Sequence, residues 1–207
     1  MMTAVVLAAG KSERMGSPKA LMKFGDRTCL RLVLDTIFDS YLNHAIVVLG
    51  SEGQRVFDEA GLAELDNVDA IINEGWELGQ TSSVKAAITQ FKKRTDSFLL
   101  FPVDFPLVTP ETIRALVDLH LKRNQGTGVI VPSYQNRRGH PVIIEIDAMR
   151  RSIMALPDEK PLSDVLFRDP QKVEYVNVET DEVVRDMDSP DDYEHIKKTW
   201  EQRLSKA

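Results

Sequence analysis

Residues 5–21 read VVLAAGKSERMGSPKAL, an apolar run that stops at Gly10 and gives way to a loop carrying Lys11, Arg14, Gly16 and Lys19. An uninterrupted apolar stretch bounded by glycine is the pattern of a strand buried on both faces. Gly10, directly after that strand, lets backbone amides approach an anion with no side chain intervening, and Ala8 and Ala9 leave the same approach open. Three cations within nine residues, Lys11 to Lys19, are more than a tight turn needs. Arginine clamps phosphate oxygens bidentately and lysine acts as a point charge. The loop is therefore expected to bind a nucleotide or phosphate rather than to be a solvated basic loop.

Outward from this loop the same rhythm repeats. Residues 3–9, 44–50, 68–73, 97–103 and 128–133 read as buried strands, apolar on successive residues and rich in valine and isoleucine. Between them, residues 29–42, 53–65, 82–94 and 110–124 carry apolar side chains three and four apart, the helical period. Pro110 after Thr109 marks a helix start. Alternating strands and helices predict a three-layer α/β/α fold with a mostly parallel sheet and helices on both faces. Ligands then belong at the carboxyl ends of the strands.

After about residue 134 the pattern becomes mixed. Residues 139–146 read as a strand following a basic turn, 147–157 and 161–169 as short helices, 172–178 as a strand, and 189–204 as a closing helix with Pro190 in its first turn. The expectation is one domain over 1–207, with 1–134 binding nucleotide and 135–207 a small acceptor-side elaboration. At 207 residues a core can form without disulfides, and the single cysteine, Cys29, has no internal partner. A net charge of −6 argues against a general nucleic-acid surface, and no apolar run approaches the ~20 residues of a membrane span. With no basic-then-apolar leader ahead of the first strand, a reduced, cytoplasmic setting and a small-molecule ligand are expected.

Spacing excludes two familiar phosphate loops. Five residues separate Gly10 from Gly16 where a Walker A loop has four, and Gly16 is followed by Ser17-Pro18; Pro18 also makes the segment too extended for a dinucleotide fingerprint. LAAGKSERMGSPKAL (7–21) instead closely resembles the signature of nucleotidyltransferases of the molybdenum-cofactor type, the MobA-like NTP transferases. The resemblance continues in order through NEGWELGQTSSVKAAI (73–88), FPVDFPLVTPETI (101–113), RRGHPVII (137–144) and VVRDMDSPDDYEHI (183–196). It implies a Rossmann-like nucleotidyltransferase fold and a reaction in which an acceptor phosphate attacks the α-phosphate of a nucleoside triphosphate, releasing pyrophosphate. Leu7, Ala8, Ala9, Gly10 and Lys11 are then the expected nucleotide-contacting stretch.

Four further residues or segments carry the expected chemistry. Asp104 follows an apolar strand, where an unpaired buried carboxylate would be costly, so it is expected to hold Mg²⁺; the alternative is an acceptor of backbone amides in the turn before Thr109. In residues 73–83, Gly79 permits close backbone approach and Thr81, Ser82 or Ser83 can cap the helix; by resemblance Gly79 and Ser82 border the nucleotide and acceptor. Trp76 is open to ring stacking or to packing. In the basic turn, Arg137, Arg138 and His140 suit an anionic acceptor, with solvated arginines the alternative. Asp188 is a second candidate metal ligand, or else it begins the closing helix.

The expected mechanism needs no nucleophilic side chain. Asp104 holds Mg²⁺, Lys19 contacts the α-phosphate, and Arg14 meets the departing pyrophosphate. Among relatives of this type, Ala9 in place of a second glycine, and Pro18 before the signature lysine, lean toward CTP over GTP. The acceptor implied is molybdopterin-type, with a molybdoenzyme or its chaperone as a further contact. A sugar or polyol phosphate acceptor, GMP transfer, and a non-catalytic nucleotide-binding carrier are the alternatives.

Overall fold

The computed structural model describes residues 1–205. Its strands are β1 (Met2–Ala8), β2 (Lys23–Phe24), β3 (Arg27–Thr28), β4 (Ala45–Leu49), β5 (Val68–Ile72), β6 (Ser97–Pro102), β7 (Val129–Tyr134), β8 (Arg137–Arg138), β9 (Val142–Glu145) and β10 (Val173–Asn177). The α-helices are α1 (Cys29–Phe38), α2 (Gly53–Glu59), α3 (Gln80–Thr89), α4 (Pro110–Lys122), α5 (Ile146–Ala155), α6 (Ser163–Leu166) and α7 (Pro190–Leu204). No helix among the described residues is long and apolar enough to cross a membrane.

Eight strands form one sheet in the order β10-β7-β9-β6-β1-β4-β5, with β8 paired to β7. β5, β4, β1 and β6 run parallel, as do β7 and β10, while β9 lies antiparallel between β6 and β7. Alternation along the central strands divides two cores. Ala4, Val6 and Ala8 of β1, Ala45, Val47 and Leu49 of β4, and Leu99 and Phe101 of β6 point to the side covered by α1, α4 and α7. Val5 of β1, Ile46 and Val48 of β4, and Phe98 and Leu100 of β6 meet α3, α5 and α6 on the other side. The central strands are apolar throughout because both of their faces are covered.

The chain leaves β1 toward β4 on one side, and β6 joins β1 from the other. Between β1 and β6 the strand order therefore reverses, which opens a crevice at their carboxyl ends. Residues 9–19 leave one of those ends and Val103-Asp104 leave the other. Caps follow the sequence signals at two helices. The Thr109 side chain accepts from the Thr112 amide at α4, and Ser189 and Asp192 form a reciprocal capping box at α7.

Candidate active site

A cavity of about 650 Å³ fills that crevice. Leu7, Ala8, Ala9, Gly10, Lys11, Arg14, Lys19, Gly79, Asp104 and Asp188 all line it, so residues from four separate stretches of chain meet there. Ser82 and His140 do not.

The first loop is held open by its own backbone. Ser12 and Gly16 both adopt left-handed conformations, at φ 55° and 66°, on either side of the short 3₁₀ turn Glu13–Met15. The Lys19 amide donates to Ser12 Oγ at 3.0 Å, which ties the far end of the loop back to its start. Behind it, Ser51 N donates to the Ala9 carbonyl at 3.2 Å. Gly50 makes that approach possible, since a Cβ there would lie 2.4 Å from the Ala9 oxygen and 2.7 Å from Trp76 Cβ. Trp76 thus packs against the loop's support and also lines the cavity.

At the charged end, Lys19 Nζ lies 3.1 Å from Asp104 Oδ2 and 2.5 Å from Asp188 Oδ1, and Arg14 Nη2 lies 2.8 Å from Asp188 Oδ2. Backbone geometry sets the two acids side by side, because Met187 N donates to the Asp104 carbonyl at 2.8 Å. Directly before Asp104, the Val103 carbonyl accepts from the buried Cys29 Sγ at 3.1 Å. Burial holds the Asp104 carboxyl above the ordinary aspartate range, with Lys19 opposing. Hydrogen bonding from Lys19 and Arg14 holds Asp188 below that range. Burial lowers the Lys19 pKa, but the two carboxylates more than offset it and the net shift is upward. Asp104 Oδ1 is buried with no hydrogen-bond partner. Neither acid is spent on capping a helix, since Thr109 and Ser189 take those positions.

The wall opposite is built by residues 73–83. Asn73 donates through Nδ2 to Ser82 Oγ at 2.9 Å and Ser83 Oγ at 3.1 Å, and accepts from Gly75 N at 3.0 Å. Ser82 Oγ in turn reaches the Gly75 and Gly79 carbonyls, each at 2.8 Å. Its hydroxyl is occupied in folding the turn, and the cavity is met instead by Gly79, Gln80 and Ser83. None of the three hydroxyls of 81–83 caps α3; Gly79, at φ 116°, takes that position without a side-chain bond. Sequence reading passed over Asn73 and Gln80. The one signal for Asn73 was an amide at a strand end, a residue type that folds the backbone after it into turns.

His140 lines a second cavity of about 140 Å³ that shares Gln80 with the first. Burial alone pushes its pKa down to about 4, and its Nδ1 is buried without a partner. The imidazole is therefore neutral near pH 7, tilted against Phe105 at 4.9 Å. Arg138 lies over the Phe167 ring at 4.2 Å and donates through Nε to Tyr175 Oη at 3.2 Å. Leu100, Val142, Leu162 and Leu166 supply apolar walls. The other histidines lie elsewhere: His44 beside Thr3 and Asp69, His120 against Glu145, and His195 on the Asp191 carbonyl.

Known proteins share both the sequence pattern and the fold of this chain. Residues 4–173 match the family model described as the MobA-like NTP transferase domain. Over 192 residues the chain is 28% identical to the molybdenum cofactor cytidylyltransferase of Escherichia coli (strain K12), covering 91% of this chain and 92% of that one. It is 31% identical over 151 residues to the bifunctional protein GlmU of Staphylococcus carnosus, covering 72% of this chain but 32% of that protein. The chain thus spans about a third of the length of the GlmU relatives it matches. The crystal structure of Rv0371c from Mycobacterium tuberculosis H37Rv superimposes with a TM-score of 0.83 at 28% identity, over 95% of this chain and 97% of that one. The structure of Rv0371c in complex with manganese gives 0.78 at 26% identity, over 96% and 98%.

Proposed function

The chain belongs to the MobA-like NTP transferase family and is a nucleotidyltransferase, and on that premise we propose that it transfers CMP from CTP to the phosphate of a molybdopterin-type cofactor. The observation that carries the reading is the convergence of Arg14, Lys19, Asp104 and Asp188 on one cavity at the strand switch point. The near full-length likeness to a molybdenum cofactor cytidylyltransferase supports the choice of CTP and of acceptor.

The donor set fits a hard divalent cation. Two carboxylates lie side by side, one with an unpartnered buried oxygen, and Mg²⁺ takes one or two protein carboxylates and fills the rest of its shell with phosphate and water. Asp104 and Asp188 would hold it, and a bound cation supplies charge neutralisation on triphosphate oxygens. The remaining work falls to the chain. Amides around Ala9 and Gly10 and the Lys19 ammonium meet the α-phosphate, and Arg14 meets the β- and γ-phosphates. An oxygen of the acceptor phosphate bonds to the α-phosphorus as the bond to the bridging oxygen breaks, and pyrophosphate leaves with that electron pair. The attacking oxygen is already anionic, so no general base is assigned, and His140, neutral and outside the large cavity, is not asked to be one. Gly79, Gln80 and Ser83, which line the same cavity, are assigned to the nucleoside in this reading.

The test is pyrophosphate release with CTP, GTP, UTP or ATP against purified molybdenum cofactor and against glucosamine 1-phosphate, each with Mg²⁺. Turnover greatest for CTP with the molybdenum cofactor is expected. A sugar phosphate is the second reading, because the glycine-basic loop of residues 7–21 also resembles that of sugar- and polyol-phosphate nucleotidyltransferases, and turnover with glucosamine 1-phosphate alone would replace the first.

A further inference from the structure

We infer that Lys19 occupies the cation position in the free protein and yields it only to a divalent cation that arrives together with a triphosphate. The inference rests on the functional reading above and concerns the order in which that site fills.

Of the four carboxylate oxygens of Asp104 and Asp188, three already have cationic partners. Lys19 takes Asp104 Oδ2 and Asp188 Oδ1, and Arg14 takes Asp188 Oδ2. The fourth, Asp104 Oδ1, is buried and unpartnered. The ammonium bridges the two acids as a small cation would, and its side chain is only 15% exposed. Two acids and two bases cancel in formal charge, so the cluster as it stands has no net attraction for a free metal ion. A bare divalent ion would have to displace Lys19 and leave an ammonium unpaired in a partly buried place, which is costly.

A triphosphate reverses that balance. Its oxygens offer both cations new anionic partners, and a lysine's flexible four-carbon stem lets the ammonium change partner while its backbone stays fixed. The Lys19 backbone is fixed here, by its amide on Ser12 Oγ and by the 3₁₀ turn Lys19–Leu21. Once Lys19 turns to phosphate, both acids are free for the metal. Metal and nucleotide therefore bind with positive coupling, and linkage makes that coupling reciprocal.

The experiment titrates Mn²⁺ alone into the wild type, Lys19→Met and Lys19→Arg, following free Mn²⁺ by electron paramagnetic resonance. In parallel, each protein's thermal unfolding is recorded with CTP, with and without Mn²⁺. Lys19→Met is expected to bind Mn²⁺ alone on the order of tenfold tighter than wild type, within the usual range of couplings between sites. Lys19→Arg keeps the charge and is expected to stay as weak as wild type. Adding Asp188→Asn to Lys19→Met should remove the gain. If Lys19→Met takes up CTP but binds Mn²⁺ alone no tighter than wild type, the inference falls while the functional reading stands. If no protein takes up CTP with Mn²⁺, the functional reading falls and this inference with it.

Discussion

The two ends of the binding region are built in opposite ways. Around Lys19, four charged side chains cancel one another at contacts of 2.5 to 3.1 Å, on backbone tied to β1 and β6. Around His140, the walls are apolar, the histidine is neutral with an unpartnered nitrogen, and Arg138 is held by two aromatic residues. The first end suits what every nucleoside triphosphate shares, a chain of phosphates with a metal. The second has little to offer a phosphate and more to offer the part of a substrate that varies. Common chemistry and selectivity are thus separated in space, with Gln80 on the boundary.

The largest effects should fall at the charged end. Asp104→Asn removes the carboxylate with the spare oxygen, and turnover should drop on the order of 10³-fold, comparable to losing a principal electrostatic stabiliser. Lys19→Ala should lower turnover under saturating nucleotide by roughly 10²-fold; near-normal turnover would break the assignment of Lys19 to the α-phosphate. Gly50→Ala comes next. Its new methyl collides with the Ala9 carbonyl and with the root of the Trp76 side chain, neither of which is the far end of a flexible side chain, so about 1–3 kcal/mol of stability should be lost, with weaker CTP binding, in denaturant and ligand titrations.

The effect at the other end depends on pH and vanishes above pH 6.5. The His140 pKa is about 4 in the folded chain against an ordinary 6.5, so below pH 6.5 the unfolded chain takes a proton that the folded one refuses. Its contribution is intact above 6.5, and stability declines by about 1.4 kcal/mol per pH unit between 6.5 and 4. His140→Gln should flatten that slope in thermal unfolding measured from pH 8 to pH 5. It should leave CTP binding unchanged at pH 8, and a large loss of CTP affinity there would erase the distinction between the two ends.

Much of this was legible before any coordinates. Each apolar run became a strand, and Gly10, Asp104 and their neighbours fell at the strand ends that the alternation of elements predicts. What local patterning could not carry was pairing between distant segments. Residues 139–146 read as a strand, but nothing in them says that 142–145 form it and lie antiparallel between β6 and β7. The small hairpin of β2 and β3 was missed as well, although Gly25, at φ 63°, supplies its turn. Asp188 beside Asp104 depends on one backbone hydrogen bond, from Met187, across more than eighty residues. Ser82 and His140 are separated from the large cavity by side-chain packing, and one-dimensional spacing does not register packing.

The most direct test of the account is thermal unfolding with CTP, with and without Mg²⁺, on wild type and Asp104→Asn. At ~100 times its dissociation constant, a ligand that binds only the folded chain adds about 2.7 kcal/mol of stability. The account predicts a Mg²⁺-dependent shift of that order for wild type that largely disappears in Asp104→Asn. No shift with millimolar CTP and Mg²⁺, or an equal shift in both proteins, would contradict it.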